Sequence, residues 1–410
     1  MSCNWIEIPL GDFIELKRGY DLPKSKRLVG QVPIVSSAGI SDYHSESKVE
    51  GPGVVTGRYG TIGEVFYIEE DFWPLNTTLY VTDFKGNCPE FVYYLLKTFD
   101  FHKYSDKAAV PGVNRNHLHM EKVRVPQNVF WQEKLAKYLS KLDRKIVLNT
   151  QTNQTLEEMA QAIFKSWFVD FDPVKAKMNG EQAEGMDEAT ASLFPEKLVE
   201  SELGLIPEGW KVSTLSSLIQ LTGGGTPKRS EETYWNGDIP WFSVRDVPPG
   251  SNVFVVDTDE KITELGLNKS STKLLPKGTT IITARGTVGK LALVGTDMCM
   301  NQSCYGIRGK EVGDYYNYFN LKQAVSTLQQ NTHGAVFDTI TTKTFDTYSL
   351  AFGGVELANQ FDALIAPLLQ KIEANVRQNI ELSALRDTLL PKLLSGEIEL
   401  GETEEMVEVS

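Results

Sequence analysis

An internal repeat constrains this chain more than any other feature of its sequence. Two glycine-marked stretches, Gly53–Gly63 and Thr279–Gly289, both end in Gly-Thr-x-Gly, and their threonines Thr61 and Thr287 lie 226 positions apart. Each copy also opens with a tryptophan and a strand-like segment, Trp5–Leu10 and Trp210–Leu215. A repeat of this length predicts two domains of one design, since each copy is long enough to bury a core.

Two apolar ladders follow the same offset, and their residues are spaced alternately by four and three positions. This spacing is typical of a coiled-coil seam. The first ladder is Leu135, Leu139, Leu142, Ile146, Asn149, Asn153, Leu156, Ala160, Ile163 and Trp167. The second is Phe361, Ile365, Leu368, Ile372, Asn375, Asn379, Leu382, Arg386, Leu389 and Leu393, in which Arg386 is the clear mismatch, standing where the first ladder has Ala160.

Four asparagines interrupt these ladders: Asn149, Asn153, Asn375 and Asn379. A buried amide in a seam is satisfied only when the partner helix is in register. We therefore expect the two helices to pair with each other as an antiparallel coiled coil, with the asparagines meeting near mid-length. The alternative is that each helix packs only on its own domain, but a seam of roughly 33 to 40 residues, about 50 to 60 Å, favours pairing.

Two prolines bear on the second helix. Pro367 predicts a kink or a later start, and Pro391 predicts the end of the helix, because proline removes a backbone donor.

The segments before the two helices are rich in β-branched and aromatic residues, with turn residues between short runs and one short helix at Glu90–Thr98. The predicted fold class is α+β: two mixed, β-rich domains separated by two long helices, with an internal pseudo-two-fold repeat. The expected divisions are domain 1 (1–128), helix 1 (129–170), an ordered linker (171–205), domain 2 (206–354), helix 2 (355–398) and an acidic tail (399–410).

The net charge of −13 argues at first against a nucleic-acid partner. However, much of the acid lies outside the two domains, since residues 171–205 carry three basic and eight acidic groups and residues 355–410 carry four and eleven. The near-neutral domains leave DNA binding open. No signal-peptide core or long apolar run occurs, so we expect a soluble cytoplasmic protein without a membrane partner.

Motifs for catalysis are missing from the sequence. The four cysteines, Cys3, Cys88, Cys299 and Cys304, lack zinc spacing and are expected to be free thiols. The nearest candidate for a phosphate-binding loop, Gly286–Lys290, is followed by leucine instead of a hydroxyl residue. His117 and His119 could be two metal ligands on one face of a strand, but no carboxylate cluster accompanies them. We expect a chain that is not an enzyme and holds no metal.

Several longer motifs resemble the conserved regions of specificity subunits of Type I restriction-modification enzymes: the Asn149-x3-Asn153 pair with Leu156–Lys177, then Gly185–Pro195, Ser201–Trp210 and Leu385–Leu400. The resemblance implies that the two domains are target recognition domains, each reading one half of a bipartite, asymmetric DNA target. It also implies that the helices set the spacing and dock two modification subunits, which restriction subunits join. S-adenosylmethionine, ATP and Mg would then be bound by those partner subunits, and no cofactor by this chain.

The candidate DNA contacts are basic, amide or aromatic residues near glycines, and we expect them on loops. Those for phosphate contact in the first domain are Lys17, Arg18, Lys24, Lys26, Arg27, Arg58 and Tyr59. Those for base contact lie in Val110–His117 and are Asn114, Arg115, Asn116 and His117. The second-domain candidates are Lys228, Arg229, Arg245, Arg285 and, within Asn331–Asp338, His333.

Each single candidate has the alternative interpretation of a solvated surface charge. For the whole chain, the alternative is a repeated-domain scaffold that binds protein or glycan ligands, although that hypothesis leaves the linker and terminal motifs unexplained.

Overall fold

The computed structural model describes residues 3–104, 112–183, 185–331 and 339–398. These residues form two compact units. The first comprises the described residues up to Ile146 together with those from Glu381 onward, and the second runs from Val147 to Ile380. Both units mix short strands with helices, so the predicted α+β class is confirmed.

The first unit is built around two small sheets. Its strands are β1 (Trp5–Pro9), β2 (Glu15–Arg18), β3 (Val32–Ser36), β4 (Gly39–His44), β5 (Gly53–Gly57), β6 (Val65–Ile68), β7 (Trp73–Pro74), β8 (Thr78–Asp83) and β9 (Lys122–Pro126). The helices α1 (Leu10–Phe13), α2 (Pro89–Lys97) and α3 (Arg115–Met120) lie entirely within this unit. It also includes the start of α4 (Val129–Phe168). The strand orders are β2-β8-β5-β6 and β4-β3-β7, and β1 pairs with β9.

The second unit repeats this plan with additions. Its strands are β10 (Leu198–Ser201), β11 (Gly204–Pro207), β12 (Lys211–Thr214), β13 (Ile219–Gly223), β14 (Trp235–Phe242), β15 (Phe254–Val255), β16 (Lys261–Ile262), β17 (Thr280–Thr283), β18 (Leu291–Val294), β19 (Cys299–Met300), β20 (Cys304–Gly309) and β21 (Ser349–Phe352). Its helices are α5 (Asp172–Met178), α6 (Glu188–Ser192), α7 (Leu215–Leu218), α8 (Glu264–Asn268), α9 (Asp314–Asn331), α10 (Thr342–Thr347) and most of α11 (Val355–Ser395).

The sequence repeat extends to the strand order. The sheet β13-β20-β17-β18-β15 contains the order of β2-β8-β5-β6 and adds β15 at its edge. β6 and β18 begin at Val65 and Leu291, and β8 and β20 begin at Thr78 and Cys304, so both pairs keep the spacing of 226. In addition, β3 pairs in parallel with β7, as β14 does with β19. The two copies therefore share one topology.

Strand β5 shows why the central strands form where they do. Its residues Gly-Val-Val-Thr-Gly are all buried, as suits a strand covered on both faces. A side-chain carbon at Gly53 would lie 2.2 Å from Cε1 of Phe72, so only glycine allows that ring to pack there. The core beneath this sheet includes the α2 residues Phe91, Val92 and Leu95.

The helices α4 and α11 are 40 and 41 residues long and contribute to both units. The expectations that Pro367 delays the start of α11 and that Pro391 ends it are wrong, since the helix begins at Val355 and continues to Ser395. Both prolines are exposed, as are Ala363 and Asp387 four residues before them. The carbonyls that lose a donor thus lie on the solvent side, where water can replace it.

An aromatic cluster anchors the linker to the helices in the second unit. Trp167 of α4 lies 5.3 Å from Phe194 of the linker and 5.9 Å from Phe361 of α11, measured between ring centroids. The amide of Gln360 donates to the hydroxyl of Thr190 over 3.0 Å. The linker is thus held by side-chain contacts as well as by its own helices and the β10–β11 hairpin.

Candidate nucleic-acid interface

The seam asparagines meet across α4 and α11 in the second unit. Asn375 Nδ2 donates to Asn153 Oδ1 over 2.8 Å, and Asn149 Nδ2 lies 2.8 Å from both Gln378 Oε1 and Asn379 Oδ1. As the residue number rises along α4 it falls along α11, so the helices are antiparallel here. Asn153 Nδ2 also donates to Asn252 over 3.2 Å, which ties the seam to the β-rich part of this unit.

Arg386, the mismatch in the second ladder, has a partner within the first unit. Its Nη1 lies 2.6 Å from Oδ1 of Asp143, and its Nε donates to Asp387 over 2.8 Å. Asp143 also accepts from the hydroxyl of Tyr94 over 2.7 Å. The arginine thus replaces an apolar seam contact with a half-buried ion pair.

A cleft of about 320 Å³ lies in the first unit and gathers many of the predicted contacts. Its lining residues are Arg18, Arg58, Tyr59, Leu79, Gly112, Val113, Asn114, Arg115 and Asn116. Six of these nine were candidates from the sequence; the other three are apolar positions or a glycine. We call this site the arginine cleft.

The turn between β5 and β6 positions Arg58 and Tyr59. Their backbone N–H groups donate to the carbonyl of Thr77 over 2.8 and 3.1 Å. Further along the turn, Gly60 and Gly63 have φ angles of +81° and +100°, which L-residues rarely adopt. The glycines marked in the sequence therefore fix the backbone that carries the cleft residues.

Tyr59 is held against the segment that completes the cleft. The Cζ atom of Arg58 lies 4.5 Å from the centre of the Tyr59 ring, a cation–π contact. Val113 N donates to Arg58 O over 3.0 Å. A side-chain carbon at Gly112 would lie 2.2 Å from Cε1 of Tyr59. Gly112 falls within the segment 110–117 expected from the sequence to contact bases, but the glycine itself was not among the named candidates.

Helix α3 carries the remaining cleft residues, so the expectation that the contacts are loop-borne is wrong for Arg115, Asn116 and His117. Asn114 is the N-cap, and its side chain accepts from Asn116 N over 3.0 Å, which starts the helix here. Arg115 Nη1 lies 3.4 Å from Leu16 O, at the edge of β2. Lys17 and Arg18 likewise lie on a strand, β2, instead of a loop.

The His117 and His119 pair lies on α3, so its expected placement on one face of a strand is wrong. Residues two apart on a helix point in different directions. Nε2 of His119 accepts from Leu16 N over 3.0 Å, and burial, followed by the charge of Arg115, lowers the pKa of this imidazole. Within the described ranges, no group of three or more His, Cys, Asp or Glu side chains could hold a metal ion.

The arginine cleft has an excess of positive charge. Arg18 pairs with Asp21 over 3.6 Å in an exposed i,i+3 contact. Among the described residues, no carboxylate forms an ion pair with Arg58 or Arg115. Such a site favours ligands with several hydrogen-bond acceptors, such as phosphates or the edges of bases.

The structure does not bring the other first-domain candidates into the cleft. Arg27 is only 14% exposed in its side chain, forms an ion pair of 2.8 Å with Asp42 and contacts Leu22 O at 3.4 Å. This hydrogen bond from Arg27 is the largest cause that lowers the pKa of the Asp42 carboxyl. Three lysines and a histidine are exposed away from the lining: Lys17, Lys24, Lys26 and His117.

Three second-domain candidates are occupied by partners within the protein. Arg229 and Arg245 both pair with Glu260, the latter over 3.1 Å, and Arg229 lies 3.9 Å from the ring centre of Trp235. The hydrogen bond with Arg229 is the largest cause that lowers the pKa of Glu260. Lys228 pairs with Glu231 over 3.2 Å. His333 and the segment that follows it, up to Asp338, lie outside the described residues.

Arg285 remains as an exposed candidate in the second unit. It lies in the turn between β17 and β18 and forms an isolated antiparallel bridge with Thr339. The turn of Arg58 and Tyr59 in the first unit bridges to Gly112 in the same way.

Two β-rich units of one design, two long helices that contribute to both, and an arginine-lined cleft in the first unit define a modular protein of repeated binding domains. The profile of the family described as "Type I restriction modification DNA specificity domain" matches twice, over residues 3–158 and 207–374. The chain belongs to this family. The two matches begin in the two copies of the repeat and support the specificity-subunit reading over the scaffold alternative.

Related proteins agree with this assignment. The chain is similar to the specificity subunit of the Type I restriction enzyme HindI of Haemophilus influenzae, with 29% identity over 82% of this chain and 84% of that one. It is also similar to the MjaIX specificity subunit of Methanocaldococcus jannaschii, with 25% identity over 77% and 71%. A crystal structure of an S subunit from M. genitalium shares the fold, with a TM-score of 0.57, 16% identity and 97% of both chains covered.

Proteins of this family are specificity subunits, which do not themselves catalyse methylation or cleavage. No helix in the described part of the chain is long and apolar enough to cross a membrane.

Proposed function

We propose that this chain is the non-catalytic subunit that gives a Type I restriction-modification complex its DNA sequence specificity. Each β-rich domain reads one half of a bipartite, asymmetric target, and the paired helices set the distance between the halves. Two modification subunits dock on the helices, and restriction subunits join them. The complex acts on double-stranded DNA in the cytoplasm.

The observation that carries this proposal is the family match over both copies of the repeat, at 3–158 and 207–374. A protein that reads two different half-sites needs two domains with the same fold whose DNA-contacting residues can differ. The common strand order of the two units supplies that plan. The arginine cleft adds a concave, positively charged surface in one of them.

The division of chemistry among the subunits is part of the proposal. The modification subunits would bind S-adenosylmethionine and transfer its methyl group, while ATP and Mg would be used by the restriction subunits. This chain would bind none of them. Its own contribution is to bind and orient DNA, which requires charge and shape complementarity but no reactive group.

The decisive experiment is co-expression of this chain with its cognate modification subunit, followed by single-molecule sequencing of the genomic DNA. A split, asymmetric motif that is methylated only when this chain is present is the expected result. The purified chain alone should show no methylation, cleavage or ATP turnover. Assembly of the complex without sequence-dependent methylation or DNA binding would contradict the proposal, and a failure to assemble would contradict the docking of the modification subunits.

A further inference from the structure

The same turn occurs in both units at equivalent positions. In the first unit, Gly60 and Gly63 have φ angles of +81° and +100°; in the second, Gly286 and Gly289 have +77° and +82°. Gly286 lies 226 positions after Gly60, and Gly289 lies 226 positions after Gly63, as the start of β18 does after the start of β6. Left-handed backbone at the same two places gives the two turns the same course.

Backbone contacts of the turns repeat as well. Gly57 N donates to Glu64 O over 3.3 Å and Thr283 N donates to Lys290 O over 2.9 Å, so the same hydrogen bond, at positions 226 apart, spans each turn. Tyr59 bridges to Gly112 and Arg285 bridges to Thr339. The helices α3 and α10 each begin three residues after the bridging residue. Tyr59 and Arg285 therefore occupy equivalent places.

The two sites differ in how they carry positive charge. The first unit has Arg18, Arg58 and Arg115 in its cleft. At the matching positions the second unit has Gly223, Ala284 and Thr342, as judged from strand pairing and from the spacing after the bridge. Its turn arginine is instead Arg285, which is exposed and forms no ion pair with a described carboxylate. Each turn thus presents one guanidinium group. In the second turn it comes from Arg285, one position after the residue that matches Arg58.

On the basis of the proposed function, we propose that Arg58 and Arg285 are the base-reading arginines of the two turns, each binding the O6 and N7 atoms of a guanine in its own half-site. The guanidinium fork matches these two acceptors in the major groove. Arg58 lies against the ring of Tyr59, which reduces the side-chain freedom that binding must remove. The arginine cleft is concave, and Asn114 uses its side-chain oxygen to cap α3, so its amide remains a donor toward the same acceptors.

The test uses the complex of this chain with its modification subunits and DNA in which each guanine is replaced singly by 7-deazaguanine. This base lacks the N7 acceptor. We expect one guanine per half-site whose replacement weakens binding roughly 5- to 50-fold. Arg58→Gln should weaken binding to unmodified DNA by a similar factor and abolish the sensitivity to that guanine in one half-site. Arg285→Gln should do the same in the other half-site.

Matched controls separate base reading from general loss of charge or structure. Arg124→Gln removes a guanidinium from β9 of the same unit outside the arginine cleft, and it should leave both guanine sensitivities intact. Arg58→Lys keeps the charge but loses the fork, so it should behave like Arg58→Gln. The deazaguanine series on the unaltered protein does not depend on the folding of any variant.

Two results would overturn the inference while leaving the proposed function standing. The first is a loss of affinity in Arg58→Gln that is equal on target and non-target DNA, with the salt slope reduced by about one, because this is the signature of a phosphate contact. The second is unchanged guanine sensitivity in both variants. If the unaltered complex shows no sequence-dependent methylation, the proposed function itself fails.

Discussion

Arginine side chains in this protein have two distinct uses, and exposure alone does not distinguish them. Arg58 and Arg115 line a cleft without an ion-pair partner among the described residues, whereas Arg27, Arg229 and Arg245 are paired with carboxylates. The paired group stabilises loops; the unpaired group is available to a ligand. Substitutions in the two groups should therefore affect different measurements.

Arg27 belongs to the group of arginines that are paired with carboxylates. Replacing it with alanine removes an ion pair with Asp42 and a contact to Leu22 O. We expect Arg27→Ala to lower the stability of the first unit by roughly 1–2 kcal/mol, measured by hydrogen exchange in β3 and β4. Lys26→Ala, a change of an exposed neighbour, is the control and should leave exchange unchanged. Equal effects of the two substitutions would contradict the structural role.

Asp362 gives a pH dependence to the second unit. Burial is the largest cause that raises the pKa of this carboxyl to about 6, and the charge of Asp314 also raises it, against hydrogen bonds from the backbone of Tyr315 and Tyr316. The folded state therefore binds the proton more tightly than the unfolded state. Its contribution to stability is fully present below about pH 4 and is lost as the pH rises through about 6.

Asp362→Asn should remove this dependence. At pH 8 we expect the variant to be more stable than the unaltered chain by up to about 3 kcal/mol, and the difference should vanish near pH 4. Asp346→Asn, at an exposed position on α10, serves as the control. Thermal unfolding followed between pH 4 and pH 8 measures both. A difference that is the same at every pH would contradict the assignment to this carboxyl.

The candidate site shows which contacts sequence patterns reveal. Arg58 and Tyr59 were found because glycines mark their turn, and Asn114 and Asn116 because amides cluster with Arg115. The roles of Arg229 and Arg245 were not found, since their common partner Glu260 lies 31 and 15 residues away and only the folded chain joins them. A local pattern reveals a turn but not the partner of a long side chain.

At the scale of elements, the paired helices bury amides within an otherwise apolar interface. Asn153 and Asn375 face each other and are both nearly inaccessible to solvent; Asn375 Nδ2 donates to Asn153 Oδ1, and Asn153 Nδ2 donates to Asn252. Their value is in fixing register, because a shifted pairing would bury an amide against apolar side chains. Replacing both amides with apolar side chains should therefore lower stability little if at all, but it should weaken the preference for one register.

A double-mutant cycle tests this role. Asn375→Leu alone should destabilise the second unit by roughly 1–3 kcal/mol, because Asn153 Oδ1 loses its donor. The double variant Asn153→Leu with Asn375→Leu should recover most of that loss, but not the bond that Asn153 donates to the half-buried Asn252. Chemical unfolding measures the cycle, with the exposed Gln151→Leu as the control. Additive losses in the double variant would show that the amides do not act as a pair.

Pro367 offers a second test within α11. Alanine at this exposed position would restore a backbone N–H able to donate to the carbonyl of Ala363. We expect Pro367→Ala to stabilise the helix by roughly 1–3 kcal/mol, seen as slower hydrogen exchange in this part of α11. Ala363→Gly on the same face should act in the opposite direction, by about 1 kcal/mol. Faster exchange in the proline variant would contradict this account.

The long elements were predictable from sequence, as were a few short ones such as the helix expected at Glu90–Thr98, found as α2, but the shortest elements were not. Ten ladder positions at regular spacing indicate a helix whatever its surroundings, and the helices are found at Val129–Phe168 and Val355–Ser395. Strands such as β15 and β16 have two residues each and are formed only by pairing with a neighbouring strand. Helix α3 was read as strand or loop because its six residues are too few to show a period.

At the scale of the whole molecule, the proposed function assigns each unit its own half of the DNA target. Arg58 and Arg285 belong to different units, so we expect the effects of substituting them to be independent. We expect the losses of binding free energy in Arg58→Gln and Arg285→Gln to add in the double variant to within about 0.5 kcal/mol. Titration of the complex with target DNA measures this. A double variant no weaker than the worse single variant would show that the half-sites are not read independently.

The first unit takes its core from two segments that lie on either side of the second unit in sequence. Leu135 and Leu139 of α4 share one cluster with Leu390, Leu393 and Leu394 near the end of α11. The ribosome must therefore release the residues after Glu381 before the first unit can close its apolar interior, while the second unit is one uninterrupted segment, Val147–Ile380. The segment before Val147 is thus synthesised ahead of the second unit but can complete its core only after that unit has been synthesised, and its apolar face is exposed to aggregation in the interval.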